Sequence, residues 1–81
     1  MIDRMIGVYQ RTLKNRMRPI RWEMNKQTLA EFDIECARDR TFRLDYDYQR
    51  EQHYFVGLPI RIVRKGGDIP ILVSSFMKDR S

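Results

Sequence analysis

The chain has 81 residues, 42% of them hydrophobic, with only four glycines and three prolines, so its composition is neither disordered nor fibrous and leaves room for one small domain rather than a multi-part enzyme. Basic residues outnumber acidic ones by 16 to 11, giving a net charge of +5, and arginine supplies most of the excess. The single cysteine, Cys36, excludes an intrachain disulfide and a structural zinc site, which leaves a marginal core without the usual staples of small domains and points to a reducing, intracellular setting.

The charge is bipolar. Residues 1–22 hold six basic groups and one acidic group, residues 23–51 hold five and eight, and residues 52–81 hold five and two. Basic ends around an acidic middle can steer a nucleic acid, an acidic protein surface or a second copy of the chain. No apolar run has the length of a membrane span or of a secretion signal, so a soluble protein that does not contact membrane is expected.

From Ile2 to Met17, the apolar residues Ile2, Met5, Ile6, Tyr9, Leu13 and Met17 fall at helical spacing, and Pro19 predicts the end of the helix. On its other side Arg4, Arg11 and Arg18 recur every seven residues with Lys14 beside them, a basic ridge that continues into Arg21. Met5, Met17 and Tyr9 give the apolar side an adaptable surface, and a separate amphipathic helix of this kind is a natural arm for a homo-oligomer.

Pro19 to Met24 alternates as a half-buried strand would. A second helix is expected to start between Asn25 and Thr28, each in capping position, with Leu29, Phe32 and Cys36 as its buried side. The period-two pattern of Phe32, Ile34 and Cys36 is the rival reading, and Leu29, Ala30 and Ala37 favour the helix. Phe42, Leu44, Tyr46 and Tyr48 then alternate with charges over seven residues, predicting a strand. His53 to Val56 and Ile60 to Val63 predict two more, with a turn or kink at Gly57–Pro59. Gly66–Gly67–Asp68 predicts a tight hairpin into a final strand from Ile69 to Val73, and residues 77–81 are expected to fray. The expected fold is therefore α+β: an amphipathic amino-terminal helix (1–18), partly free, and a core (19–76) in which a second short helix packs on an antiparallel sheet of about four strands.

Chemistry has little to build on. One cysteine and one histidine make Cys36–His53 the only nucleophile and base pair, and a buried structural thiol is the plainer reading. Asp45 and Asp47 share a strand face, where Arg43 and Arg50 make ion pairing the ordinary use. His53 lacks the companions of a zinc site. No catalytic residue, metal or cofactor is expected, and Gly66–Gly67 has the spacing of no phosphate loop. The basic ridge is the candidate site: Arg11, Lys14, Arg18 and Arg21, with Arg4 and Tyr9 nearby, would bind a protein partner. A nucleic acid is the alternative ligand, held by the same ridge together with Arg61, Arg64 and Lys65.

W-E-M-N-K-Q-T-L at residues 22–29, V-G-L-P-I at 56–60 and I-L-V-S-S-F at 71–76 follow one another in the order of a segment in the major capsid proteins of tailed bacteriophages, which this part of the chain resembles. The chain is too short for the long helix, extended loop and amino-terminal arm of a shell-forming protein, and residues 1–18 match none of that family. What the resemblance implies is a small phage or phage-satellite protein in the cytoplasm of a bacterial host, non-catalytic, engaging a host or virion protein as an inhibitor or assembly accessory.

Overall fold

The computed structural model describes residues 1–76 and shows two helices packed on one face of a five-stranded mixed sheet. In chain order the elements are α1 (Ile2–Lys14), β1 (Met17–Met24), α2 (Lys26–Arg38), β2 (Asp45–Asp47), β3 (Gln52–Phe55), β4 (Leu58–Ile62) and β5 (Ile71–Phe76). The sheet order is β2-β3-β4-β1-β5; β1 is parallel to β4 and every other neighbouring pair is antiparallel. The α+β class holds, with one strand more than the four expected, and the sheet is mixed in place of the expected antiparallel one, because β1 lies beside β4 in parallel.

Strand β1 organises the molecule. Its even residues Trp22 and Met24 are fully buried under the helices, while Arg21 and Glu23 lie on the opposite, helix-free face. Trp22 is in register with Ile60 of β4 and Leu72 of β5, so the three strands present one apolar row to α1 and α2. Ile2 and Met5 of α1 and Phe32 and Cys36 of α2 close over that row. Phe55 is the hub of the core: its ring meets Phe32 edge-on at 4.8 Å between centroids and lies about as close to Trp22 (6.0 Å) as to Phe42 (6.1 Å). Its carbonyl accepts the buried indole N–H of Trp22 at 3.2 Å.

Helix α1 ends at Lys14, short of the expected Met17, because the chain turns before Pro19 is reached. Arg16 takes a left-handed backbone (φ 56°) and donates its N–H to the Leu13 carbonyl, and Met17 already belongs to β1, paired with Phe76. Pro19, which has no N–H, is accommodated where the β1–β5 register shifts between Pro19 and Arg21 and where β1 has no register partner on β4. The helix is not a free arm either: Ile2 and Met5 are among the most deeply buried side chains, and Met17 left the helical face altogether. The N–H of Ile2 and the amino nitrogen of Met1 both reach Glu35 Oε1, at 2.7 and 3.0 Å, tying α1 to α2. The Ile2 N–H lowers the pKa of the Glu35 carboxyl, outweighing the opposing effect of burial.

The second helix replaces the rival strand. Asn25 Oδ1 accepts the Thr28 N–H at 2.7 Å, as an N-cap should, and Phe32 and Cys36 are buried one turn apart while Ile34 points outward. The expected seven-residue strand from Phe42 to Tyr48 contracts to Asp45–Asp47. Phe42 and Leu44 instead reach back onto the core, and Tyr48 stands in an exposed turn that Asp47 Oδ1 holds through the N–H groups of Gln49 and Arg50. Strands β3 and β4 are joined by a two-residue turn with positive φ at both Val56 and Gly57, the backbone twist that tight hairpins favour.

The expected hairpin at Gly66–Gly67 does not exist as a strand pair, because β1 lies between β4 and β5 and pairs with both. The loop from Val63 to Pro70 passes over the end of β1 and is fastened there: Val63 donates to the Met24 carbonyl, Asn25 N–H to the Gly67 carbonyl, and Asn25 Nδ2 to Gly66 O and Asp68 Oδ1. The expected fraying of residues 77–81 lies outside the described residues. Among the described residues no helix is long and apolar enough to cross a membrane, and no buried side-chain polar atom lacks a partner.

Candidate functional site

The last turn of α1 carries Arg11 and Lys14, cations placed where the helix dipole is negative. The chain then reverses through Asn15 and Arg16 into β1, whose Arg18 is exposed opposite Ser75 of β5. Arg11, Lys14, Arg16 and Arg18 thus lie at the end of the molecule where α1 stops and β1 begins, Arg18 on the helix-free face of the sheet. The three ion pairs among the described residues join the Met1 amine to Glu35, Arg21 to Glu23 and Arg50 to Asp47, and none of them involves these four cations. Apolar surface accompanies the charge: Leu13 is 45% exposed and Phe76, the register partner of Met17, is 81% exposed. Beside Arg18 lies a shallow concavity of about 400 Å³ bordered by Ile20, Leu58 and Pro59.

The structure divides the residues that the sequence grouped. Arg11, Lys14 and Arg18 stay at one end of the molecule, the first two on α1 and the last on the helix-free face of β1. Arg4 sits on the same exposed side of α1 but about 15 Å along the helix from Lys14 at 1.5 Å per residue, beside Met1, Asp68 and Pro70. Tyr9 is half-buried and packs against the core instead of standing with the cations. Arg21 lies on the helix-free face, as Arg18 does, because the register shift between Pro19 and Arg21 cancels one alternation; it sits farther along β1, where its Nε donates to Glu23 Oε2 at 2.9 Å. Arg61 is on that face too, in register with Glu23, and Arg64 and Lys65 follow β4 at the far end of β1. The nine proposed contacts therefore do not form one surface.

Arg16 joins the cluster although the seven-residue spacing passed over it. Its signal was an arginine directly after a helix end, at a position where a left-handed backbone favours glycine. A long cationic side chain there is held at a conformational cost of about 1–2 kcal/mol.

The nucleophile and base are kept apart. Cys36 borders a concavity with Asp33, Asp39 and Phe42, whereas His53 borders another with Gln52 and Arg61 and packs its ring on Tyr46 at 4.5 Å. Burial, reinforced by the carboxylates of Glu35, Asp33 and Asp39, raises the Cys36 thiol from its ordinary 9.0 to about 11. The folded chain therefore holds this proton more tightly than the unfolded chain does, so stability is expected to be level below pH 9.0 and to fall as pH rises from there toward 11. Urea midpoints for the wild type and Cys36→Ala across that range check it: the alkaline decline assigned to the thiol should be missing from the variant. At pH 8 a thiol reagent should label Cys36 at the rate of transient unfolding, much more slowly than a free thiol.

Among the described residues no group of three or more His, Cys, Asp or Glu side chains is placed to hold a metal ion. Comparison with family models, curated proteins and solved structures finds no match for this chain.

Proposed function

We propose that the chain is a small non-catalytic binding protein that engages an acidic protein surface through the end of the molecule formed by Arg11, Lys14, Arg16 and Arg18. The observation that supports this reading most is the placing of four cations, without ion-pair partners among the described residues, at the same end of the molecule as the exposed side chains of Leu13 and Phe76. Arginine and aromatic groups next to one another are what protein interfaces use as anchors. A nucleic-acid backbone would call on the cations but would leave Leu13 with no role.

The nucleic-acid reading calls on the same ridge together with Arg61, Arg64 and Lys65, and these last three follow or belong to β4, away from the end of the molecule that carries the cluster. A phage or phage-satellite origin, with a host or virion protein as the partner, is part of the proposal. It is separable from the cations, because the segments resembling capsid proteins form the end of β1, the α2 cap, the β3–β4 turn and the edge strand β5, and of the surface residues they include only Phe76. Genes neighbouring the coding sequence would test it.

The experiment is capture from bacterial lysate with wild type, with Arg11→Glu/Arg18→Glu and with Arg16→Gly. An acidic protein held by the wild type should be lost with the charge-reversed variant. Arg16→Gly should weaken capture while making the chain about 1 kcal/mol more stable to urea. An unchanged set of captured proteins would remove the surface from consideration. Tight, salt-sensitive binding of a fluorescent oligonucleotide, abolished by the same charge reversal, would favour the alternative.

A further inference from the structure

The two edges of the sheet are built differently. Strand β2 is three residues long and two of them, Asp45 and Asp47, are charged. At the other edge β5 runs six residues, Ile-Leu-Val-Ser-Ser-Phe, with no charge and no proline, and β1 is its one strand neighbour among the described residues. A bare strand edge offers a row of unpaired N–H and C=O groups, and native sheets blunt it by shortness, charge or proline. β2 has two of these protections and β5 has none.

The geometry points to β5 as the seam of a twofold dimer, in which the β5 strands of two copies pair antiparallel and their sheets continue into one. A symmetric pairing that keeps the helices of both copies on the same side must place a residue opposite itself, and Val73 or Ser74 is the central choice. About Val73, Ile71 faces Ser75 and Leu72 faces Ser74; about Ser74, Leu72 faces Phe76 and Val73 faces Ser75. Every opposed pair is uncharged, although each chain carries +5. The same operation on β2 would set Asp45 against Asp47 twice, a like-charge pairing that costs stability. Pairing β5 with β2 would leave free edges and an open fibre, whereas β5 with β5 closes. On the helix-free face, β5 pairing also joins Ile71 and Val73 of both copies in one apolar strip. The occupant is therefore a second copy.

This contact has the opposite salt response to the cationic surface proposed above. Two chains of +5 repel, so added salt should tighten the dimer, while binding of an acidic partner should weaken. Light scattering on the full chain over a range of concentrations should give a mass of twice 9.9 kDa, reached at lower protein concentration in high salt. Ile71→Lys/Ser75→Lys, at two exposed positions, should return the mass to 9.9 kDa with the circular dichroism and Trp22 emission unchanged. Arg11→Glu/Arg18→Glu should leave the doubled mass in place, which separates failure of this inference from failure of the partner surface. A single-chain mass at every concentration, or a dimer that survives both lysines, overturns it. If the double variant does not fold, hydrogen exchange of the wild type decides: the amides from Leu72 to Ser75 should gain protection as concentration rises, and exchange independent of concentration overturns the dimer.

Discussion

Gly67→Ala is expected to cost about 4 kcal/mol, while Gly66→Ala, one residue earlier and in the same left-handed backbone region, is expected to cost about 1 kcal/mol. Both glycines have positive φ, 71° and 73°, so both substitutions carry the conformational penalty of a Cβ there. They differ in what the new methyl meets. Around Gly66 nothing lies within 4 Å, whereas at Gly67 it would fall 2.5 Å from the Asn25 backbone nitrogen, 2.7 Å from Val63 Cγ2 and 2.9 Å from the Met24 carbonyl carbon. Two of those three atoms are backbone and cannot swing aside. Relief means lifting the loop off the end of β1, which breaks the bond from Asn25 N–H to Gly67 O and strains the Asn25 side chain that caps α2 and also clamps Gly66 and Asp68. A chain of this length has a total stability of about 4–12 kcal/mol, so the Gly67 variant should lose at least about a third of it. Urea unfolding followed by Trp22 emission measures both variants, and equal midpoints would show that the close approach is absent.

Phe55→Ala is expected to destabilise the chain by about 3–5 kcal/mol, and Phe55→Leu by about 1–1.5 kcal/mol. The alanine variant removes the one ring that contacts Trp22, Phe32 and Phe42 together, leaving a void that β3, pinned to β4 by the Val56–Gly57 turn, cannot collapse into. Leucine refills most of that volume and keeps the carbonyl that accepts the Trp22 indole N–H, a main-chain contact. Because Trp22 is the only tryptophan, its emission reports directly on this site. The alanine variant should show a lower urea midpoint with a red-shifted native baseline, and the leucine variant a smaller fall with the baseline kept. A midpoint for Phe55→Ala within about 1 kcal/mol of wild type would mean the aromatic cluster is not the centre of the core.

The basic cluster was half visible before folding was considered. Arg11 and Lys14 follow from helical spacing alone, since residues three and four apart share a side of a helix. The seven-residue spacing predicts Arg18 as the next step of a helical ridge, whereas the structure places it in strand β1, after the chain has reversed at Arg16. Arg21 fails for the same cause. A period of seven keeps side chains together only while the helix lasts; in β1 the register shift after Pro19 leaves Arg21 on the same helix-free face as Arg18 but farther along the strand, beside Glu23 and Arg61.

What local sequence settles here is whatever rests on neighbours a few residues apart: the helical period of Ile2 to Leu13, the cap at Asn25, the alternation from Arg21 to Met24, and the turn chemistry of Gly57. Strand order and the fate of Gly66–Gly67 depend on β1 inserting between β4 and β5, a pairing of segments far apart in the chain, while the short β2 follows from Phe42 and Leu44 packing back onto the core and the early end of α1 from the reversal at Arg16. Backbone hydrogen bonds between strands carry no residue code, so a Gly-Gly turn between two apolar runs reads as a hairpin until the buried row of Trp22, Ile60 and Leu72 shows which strand lies between them.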